Sequence, residues 1–388
     1  MLNIRCLNKI AEAGLVQFPQ ASYQFTEQAG AEDAILVRSA DLKEMEFGAD
    51  LKAIARAGAG TNNIPTARCS EAGIVVFNTP GANANAVKEL VLAGLLMSSR
   101  PVVPAIAWIE SLGSAADLAQ RVEKEKSRFV GTELKGKTLG VIGLGAIGIL
   151  IANLAAELDM QVVGYDPYIS VDAAWKFSRQ VRHVESLEAV LKTADYVTIH
   201  VPLTPQTKNL IAAGQLKLMK TGAVLLNFAR GGLVQEDAVL AALVARQIRG
   251  YVTDFPSPAL AEKPGVTLIP HLGASTEEAE ENCAVMAAQE LIDYLENGNI
   301  RNAVNLPDVV MERSGQARLC CFHRNVPNML AHISGMISKQ GINIENLLNR
   351  SQGEFAYTLV DVDTPAVEEI AATLRQQPEI LRVRVIHD

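Results

Sequence analysis

Two sets of residues have the types and spacing to do chemistry. The first is a glycine series, Gly143-Leu-Gly145-Ala146-Ile147-Gly148, with Asp166 following eighteen positions after the last glycine. Gly143 allows a tight turn, Gly145 lets backbone approach a pyrophosphate, and Gly148 lets a helix and a strand pack closely. The free N–H groups of the helix that starts there would face the phosphates. Asp166 is placed to accept hydrogen bonds from an adenosine ribose, and its charge would repel a 2′-phosphate, which favours NAD over NADP. The second set is polar and sits at the ends of strand-like runs: Arg38-Ser39, Arg56-Ala-Gly58-Ala59-Gly60, His200, Arg230, Asp254 and His271. In an open parallel sheet, ligands gather at the carboxyl ends of strands. Two arginines beside a glycine-rich turn could bind an anion through forked donors and backbone N–H groups, or could be solvated surface charges.

The elements that must position these groups can be traced along the chain. An apolar strand-like run, Leu139 to Ile142, precedes the glycines. A helical pattern follows to about Leu158, and a second strand runs from Gln161 to Tyr165. Further strands are expected at 196–201, 223–228, 250–255 and 266–269, separated by helices, which is the pattern of a doubly wound sheet. Residues 1–98 alternate strands at 3–6, 34–37, 53–56 and 74–77 with helices. An apolar helix at 86–97 crosses onward, and a charged stretch at 116–128 follows it. A helix from Glu277 to about Leu295 returns the chain to its first part, making that part discontinuous. Nineteen uncharged residues from Thr138 to Ala156 are about long enough to span a bilayer. Their glycines, Asn153 and the acidic residues that follow argue instead for strand, turn and helix.

Bulk properties narrow the class. A chain of 388 residues supports two or three domains, and its net charge of −8 offers no basic face to nucleic acid. The five cysteines show no CxxC pair and no metal-ligand spacing, so no metal is expected and the thiols read as reduced in a cytoplasmic protein. The N-terminal residues lack a basic stretch followed by a long apolar one, so neither secretion nor a membrane is expected.

Several motifs together resemble the D-2-hydroxyacid dehydrogenase family, and within it the D-3-phosphoglycerate dehydrogenases of serine biosynthesis. They are VRS (37–39), RAGAGTNN (56–63), NTPGANANAV (78–87), GLGAIG (143–148), HVPLT (200–204), NFARGGLV (227–234) and PHLGAST (270–276). The resemblance implies an α/β fold with a Rossmann NAD-binding domain (99–276) and a discontinuous, flavodoxin-like substrate domain (1–98 and 277–305). It implies that Arg230 holds the substrate carboxylate and polarises the C2 oxygen, while His271 exchanges the hydroxyl proton. Asp254 would meet the nicotinamide carboxamide, and Ala146 and Ile147 the pyrophosphate. Val201, Phe228, Ala229, Gly273 and Ala274 would line the cofactor site. Arg38, Ser39, Arg56, Gly58, Ala59, Gly60 and Asn83 would take the phosphate of 3-phosphoglycerate. One departure stands out: the family places a Glu beside the catalytic His where this chain has Ala259. The nearest carboxylate, Glu262, is the candidate replacement.

Past a breaker-rich linker (307–315), residues 316–388 read β-α-β-β-α-β, the ferredoxin-like pattern. This part resembles an ACT domain, a regulatory module that binds an amino acid between paired copies. His323, Asn325 and Asn343 match the positions that hold serine there, and Asn328 stands where Gly usually follows the Pro. The resemblance implies a homodimer or homotetramer that also pairs through an arm around Trp108, from which Lys126 or Arg128 would reach a partner's site. The expected activity is NAD-dependent oxidation of D-3-phosphoglycerate under serine feedback. Two other readings stay open: a reductase of another 2-oxo acid such as glyoxylate or 2-oxoglutarate, or a low-activity NAD-sensing binding protein, which only Ala259 favours.

Overall fold

The computed structural model describes residues 1–169 and 176–387. It divides into two compact units, one comprising Met1–Asn83 with Glu277–Asp388 and the other Ala84–Thr276. Among the described residues the strands form three sheets.

The first unit holds five parallel strands: β1 (Leu2–Leu7), β2 (Tyr23–Phe25), β3 (Ala34–Val37), β4 (Ala53–Arg56) and β5 (Val75–Phe77). Their order, β2-β1-β3-β4-β5, is the flavodoxin-like arrangement. β3 is buried along its whole length, as expected for an apolar run covered on both faces. The helix Glu277–Asn297 packs on this sheet through Ala279, Cys283, Ala287 and Leu291, which recur every fourth residue and are all buried.

The second unit is built on seven parallel strands: β6 (Thr138–Ile142), β7 (Gln161–Tyr165), β8 (Val181–His183), β9 (Tyr196–Ile199), β10 (Ala223–Asn227), β11 (Ile248–Thr253) and β12 (Val266–Leu268). The order β12-β11-β10-β9-β6-β7-β8 is the Rossmann winding with one added strand, and chain order reverses between β6 and β9. The stretch weighed as a bilayer span therefore consists of β6, a turn and the helix Ala146–Glu157. Among the described residues no single helix is long and apolar enough to cross a membrane.

The helix Ala84–Ser99 groups with this unit, so the division falls between residues 83 and 84 rather than at the expected 98/99. Close packing explains the shift: a methyl added at Gly94 would lie 2.9 Å from the Phe228 ring. The helix thus sits tightly on the end of β10.

The C-terminal part follows the expected β-α-β-β-α-β order, with β13 (Ala317–Arg324), β14 (Ile344–Gln352), β15 (Phe355–Val362) and β16 (Ile380–His387). Its pairings are antiparallel in the order β14-β15-β13-β16, the ferredoxin-like arrangement. Alternate residues of β13 enter different cores. Leu319 and Cys321 face the helices Met329–Lys339 and Glu368–Arg375, whereas Cys320 and Phe322 share a core with β1, β5 and the helix Glu277–Asn297.

Candidate active site

The glycine turn has a distinct geometric need at each position. Gly143 takes φ +91°, and a Cβ there would lie 2.5 Å from the carbonyl oxygen of His200. Gly145 begins the helix, and a Cβ there would meet open space. A side chain at Gly148 would strike the Gly143 carbonyl. The outer glycines are therefore demanded by the protein's own packing, and the middle one leaves room for something outside it.

Asp166 ends β7 and is tied to this turn. One oxygen accepts from the Leu144 amide at 2.8 Å, the other from the Tyr168 amide at 2.8 Å. Each oxygen keeps a further lone pair for a hydroxyl donor. Val201, at the end of β9, is partly buried. Its neighbour His200 accepts or donates through Nε2 to Thr198 Oγ1 at 2.8 Å, and its Nδ1 is buried without a partner. Burial pushes the His200 imidazole down to about 3, so the ring is neutral in working conditions.

Three functional groups converge at the ends of β10, β11 and the segment after β12. Asp254 is 1% exposed; its carboxylate makes no hydrogen bond of full geometry and has only the amides of Asp254 itself and Gly273 beside it. Burial raises its carboxyl above the usual range, while His271 and Arg230 act in the opposite direction. Both groups therefore lie within electrostatic reach of the same carboxylate. The His271 ring packs on Phe255, with centroids 4.9 Å apart. Arg230 is exposed and donates from Nη1 to the Ala229 carbonyl at 2.7 Å. Buried Asn227 shapes that turn: its Nδ2 donates to the Arg230 carbonyl at 2.9 Å, and its Oδ1 accepts from the Ala229 amide at 3.2 Å. Gly273 is buried beside Asp254, where an added methyl would lie 3.6 Å from Oδ2, and Ala274 is half-buried.

Two expectations need correction here. The Phe228 side chain lines no cleft; it is 4% exposed and belongs to the core around Gly94, leaving only its backbone at the strand end. Glu262 is exposed in a left-handed turn (φ +58°), and nothing among the described residues pairs it with His271. The contact the imidazole makes is instead the tilted packing on Phe255.

The first unit gathers the expected anion site. Arg38 closes β3, and its Nη2 donates to Glu280 Oε1 at 2.5 Å. Arg56 closes β4, and its Nε donates to the Arg38 carbonyl at 3.0 Å. Gly58 (φ +154°) leaves space for the Arg56 guanidinium, since a Cβ would lie 2.8 Å from Nη1. The turn at 58–60 is held from the side by Thr79 N, which donates to the Gly58 carbonyl at 3.2 Å, and by Asn78, which donates to the Ala59 carbonyl at 2.6 Å. Gly60 is half-buried in the same turn. Ser39 N donates to Asn8 Oδ1 at 3.0 Å, and Asn83 Oδ1 is buried without a partner. The sequence alone gives Asn8, Phe255 and Glu280 no part in the site, and places Asn227 at its strand end without a role. Asn8 and Asn227 carried a signal, since each is an Asn beside a strand end, where it can brace a turn.

The effector residues do not converge within one chain. His323 is 2% exposed, with Nδ1 on the Arg324 carbonyl at 2.8 Å and Nε2 on Thr358 Oγ1 at 2.8 Å. Its burial lowers the imidazole from its ordinary value; Nδ1 donates to the Arg324 carbonyl, and Thr358 Oγ1 also donates to Asn349 Oδ1 at 2.8 Å. Asn343 precedes β14 at the opposite end of the sheet from His323, because Ile344 and Ala317 both align with Val362 while His323 aligns with Ala356. Asn325 donates to the Gly353 carbonyl at 3.1 Å. Asn328 adopts φ +70°, the conformation for which glycine is the usual choice. Lys126 and Arg128 pair with Glu123 at 2.5 Å and Glu125 at 2.9 Å on their own segment.

Among the described residues no group of three or more His, Cys, Asp or Glu side chains could hold a metal ion. A dinucleotide fits what is present. The open space at Gly145 suits a pyrophosphate, and the buried Asp254 carboxylate, served only by nearby backbone amides, can accept a further donor such as a carboxamide N–H.

Comparison with known proteins agrees with this geometry. Residues 96–273 match the family model for the D-isomer specific 2-hydroxyacid dehydrogenase, NAD binding domain. The chain is 37% identical over 295 residues to D-3-phosphoglycerate dehydrogenase of Methanocaldococcus jannaschii, covering 74% of this chain and 54% of that protein, about half its length. It is 34% identical over 342 residues to the Escherichia coli D-3-phosphoglycerate dehydrogenase, covering 84% of this chain and 80% of the relative. Among solved structures, the TT0316 protein of Thermus thermophilus is similar with TM-score 0.64 and 27% identity, covering 78% of this chain and all of that one. The NAD+-bound 3-phosphoglycerate dehydrogenase in Entamoeba histolytica gives TM-score 0.62 at 25% identity, over 78% of this chain and 98% of the other. Sequence, winding and the strand-end groups therefore agree that the chain belongs to the D-isomer-specific 2-hydroxyacid dehydrogenase family, as an NAD-dependent dehydrogenase.

Proposed function

We propose that the chain oxidises D-3-phosphoglycerate to 3-phosphohydroxypyruvate with NAD, the first step of L-serine biosynthesis. The observation that carries the reading is the buried Asp254 carboxylate, within electrostatic reach of both Arg230 and His271. Bound NAD supplies the hydride acceptor, and Asp254 would fix its carboxamide. Arg230 binds the substrate carboxylate through its planar fork and stabilises the oxygen at C2. His271 removes the proton from the C2 hydroxyl as that carbon becomes a carbonyl. Phe255 packs on the imidazole, and Ala259 offers it no carboxylate. Arg38 and Arg56, with the turn at 58–60, take the phosphate. That pair favours a phosphorylated acid over glyoxylate or 2-oxoglutarate.

The finer reading extends to assembly and regulation. A homodimer or homotetramer is supported by Val102, Val103, Ile106 and Ile109, which are 43–53% exposed on the helix Val102–Leu112. A serine effector would lie between two copies of the C-terminal sheet, since Asn325 and Asn343 occupy opposite ends of one copy. It would engage His323 only by displacing Thr358. We place the protein in the cytoplasm.

The test is a steady-state assay of NADH formation from D-3-phosphoglycerate at alkaline pH, with D-glycerate and 2-hydroxyglutarate as comparison substrates and serine titrated in. D-3-phosphoglycerate should give the highest kcat/KM. Absence of NADH from it would overturn the proposal.

A further inference from the structure

We infer that Glu280 sets the affinity of the anion site for a phosphate by competing with it for Arg38; this rests on the phosphorylated substrate proposed above. The Arg38 guanidinium is already engaged: its Nη2 donates to Glu280 Oε1 at 2.5 Å. Arg56 is held against the same residue, through the bond from its Nε to the Arg38 carbonyl at 3.0 Å. Cys283, one turn beyond Glu280 and 3% exposed, feels Arg56, Arg38 and Glu280 together, so the three charges share one neighbourhood. The site therefore presents two guanidiniums and one carboxylate to its ligand.

A phosphate monoester carries close to two negative charges at neutral pH. To reach Arg38 it must displace Glu280 and then remain beside that carboxylate. The displacement is feasible because the Arg38 and Glu280 side chains are 40% and 39% exposed, and a pair so open to water is weakly held. The residual repulsion persists in the complex, since Glu280 is anchored on a helix whose neighbouring turn is buried. Glu280 thus restrains affinity for the dianion and leaves an acid without a phosphate untouched. Glutamine keeps the size and the acceptor oxygen while removing the charge.

The experiment compares the wild-type enzyme with Glu280→Gln and with Glu281→Gln, whose exposed carboxylate lies one residue further on. In Glu280→Gln the KM for D-3-phosphoglycerate should fall about tenfold, the scale of one close like-charge contact, while the KM for D-glycerate stays unchanged. Glu281→Gln should alter neither. Titration calorimetry with inorganic phosphate reads the same site without turnover and should show the same tenfold tightening in Glu280→Gln. Unchanged phosphate affinity in that variant, or an equal change for both acids, overturns the inference. An enzyme that prefers a non-phosphorylated acid while Glu280→Gln still tightens phosphate would sink the proposed substrate and leave the competition intact.

Discussion

Asp254, His271 and Phe255 show how single residues divide the work at the strand ends. A buried carboxylate served only weakly by two backbone amides is expensive to maintain, so its persistence marks a place prepared for a partner that arrives with N–H groups. His271 has the opposite problem. Its ring must be oriented, and Ala259 offers no carboxylate to do it. The tilted contact with Phe255 restricts the ring plane without selecting a tautomer. Restoring the acid by Ala259→Glu should therefore raise kcat by about 10²-fold, the scale of an acid–base helper, and shift the pH–rate profile upward. Parallel pH profiles of kcat/KM for the two enzymes would check this. An unchanged profile would mean that packing alone orients the imidazole.

At the scale of an element, the glycine turn between β6 and its helix separates packing from binding. Gly145 begins the helix with an ordinary φ of −80° and open space around its missing side chain. Gly145→Ala should fold normally and weaken NAD binding by about tenfold or more, because the methyl occupies the approach to the pyrophosphate. Gly148→Ala would strike the Gly143 carbonyl. It should destabilise the fold by about 1–3 kcal/mol as well as weaken binding. Fluorescence titration with NAD and thermal unfolding, measured on both variants, would separate the two effects. Equal loss of stability in both would show that Gly145 serves packing too. β13 makes the same point in another way. Its residues are buried on both faces, so the strand belongs to two cores and cannot shift register without damage to each.

At the scale of the whole molecule, the C-terminal ferredoxin-like part is built into the first unit and does not merely hang from it. Arg318 is fully buried, donating to both oxygens of Asp361 at 2.6 and 2.8 Å and to the carbonyls of Asn297 and Met311 at 2.7 and 3.0 Å. Arg384 donates to Tyr294 and Leu295 carbonyls at the end of the helix Glu277–Asn297, a favourable place for a cation. Arg382 does the same at Ala72, just past the helix Thr66–Glu71. Removing one member of the buried pair by Arg318→Ala leaves Asp361 uncompensated and should cost about 3–5 kcal/mol. Replacing both by Arg318→Met with Asp361→Leu should cost much less. Denaturant titration of the three proteins checks the difference. A single variant as stable as the double one would show that Asp361 finds another partner.

The alternation of strands and helices, the β-α-β-β-α-β order of the tail and the glycine turn were legible because each depends on local spacing, whereas the short edge strands β2 and β8 were not. Strands and helices reveal themselves through period, and the turn through residues that no side chain could replace. Arg38, Arg56, Arg230, Asp254 and His271 were legible for a related reason, since strand ends in such sheets are where ligands gather. What faced each of them was not. Glu280 against Arg38, Phe255 against His271, the burial of Phe228 and the locked imidazole of His323 are meetings between residues 16 to 242 positions apart in the chain. Local sequence determines which groups a strand end can offer; only the packing of distant segments decides whether each group is left open, paired or sealed.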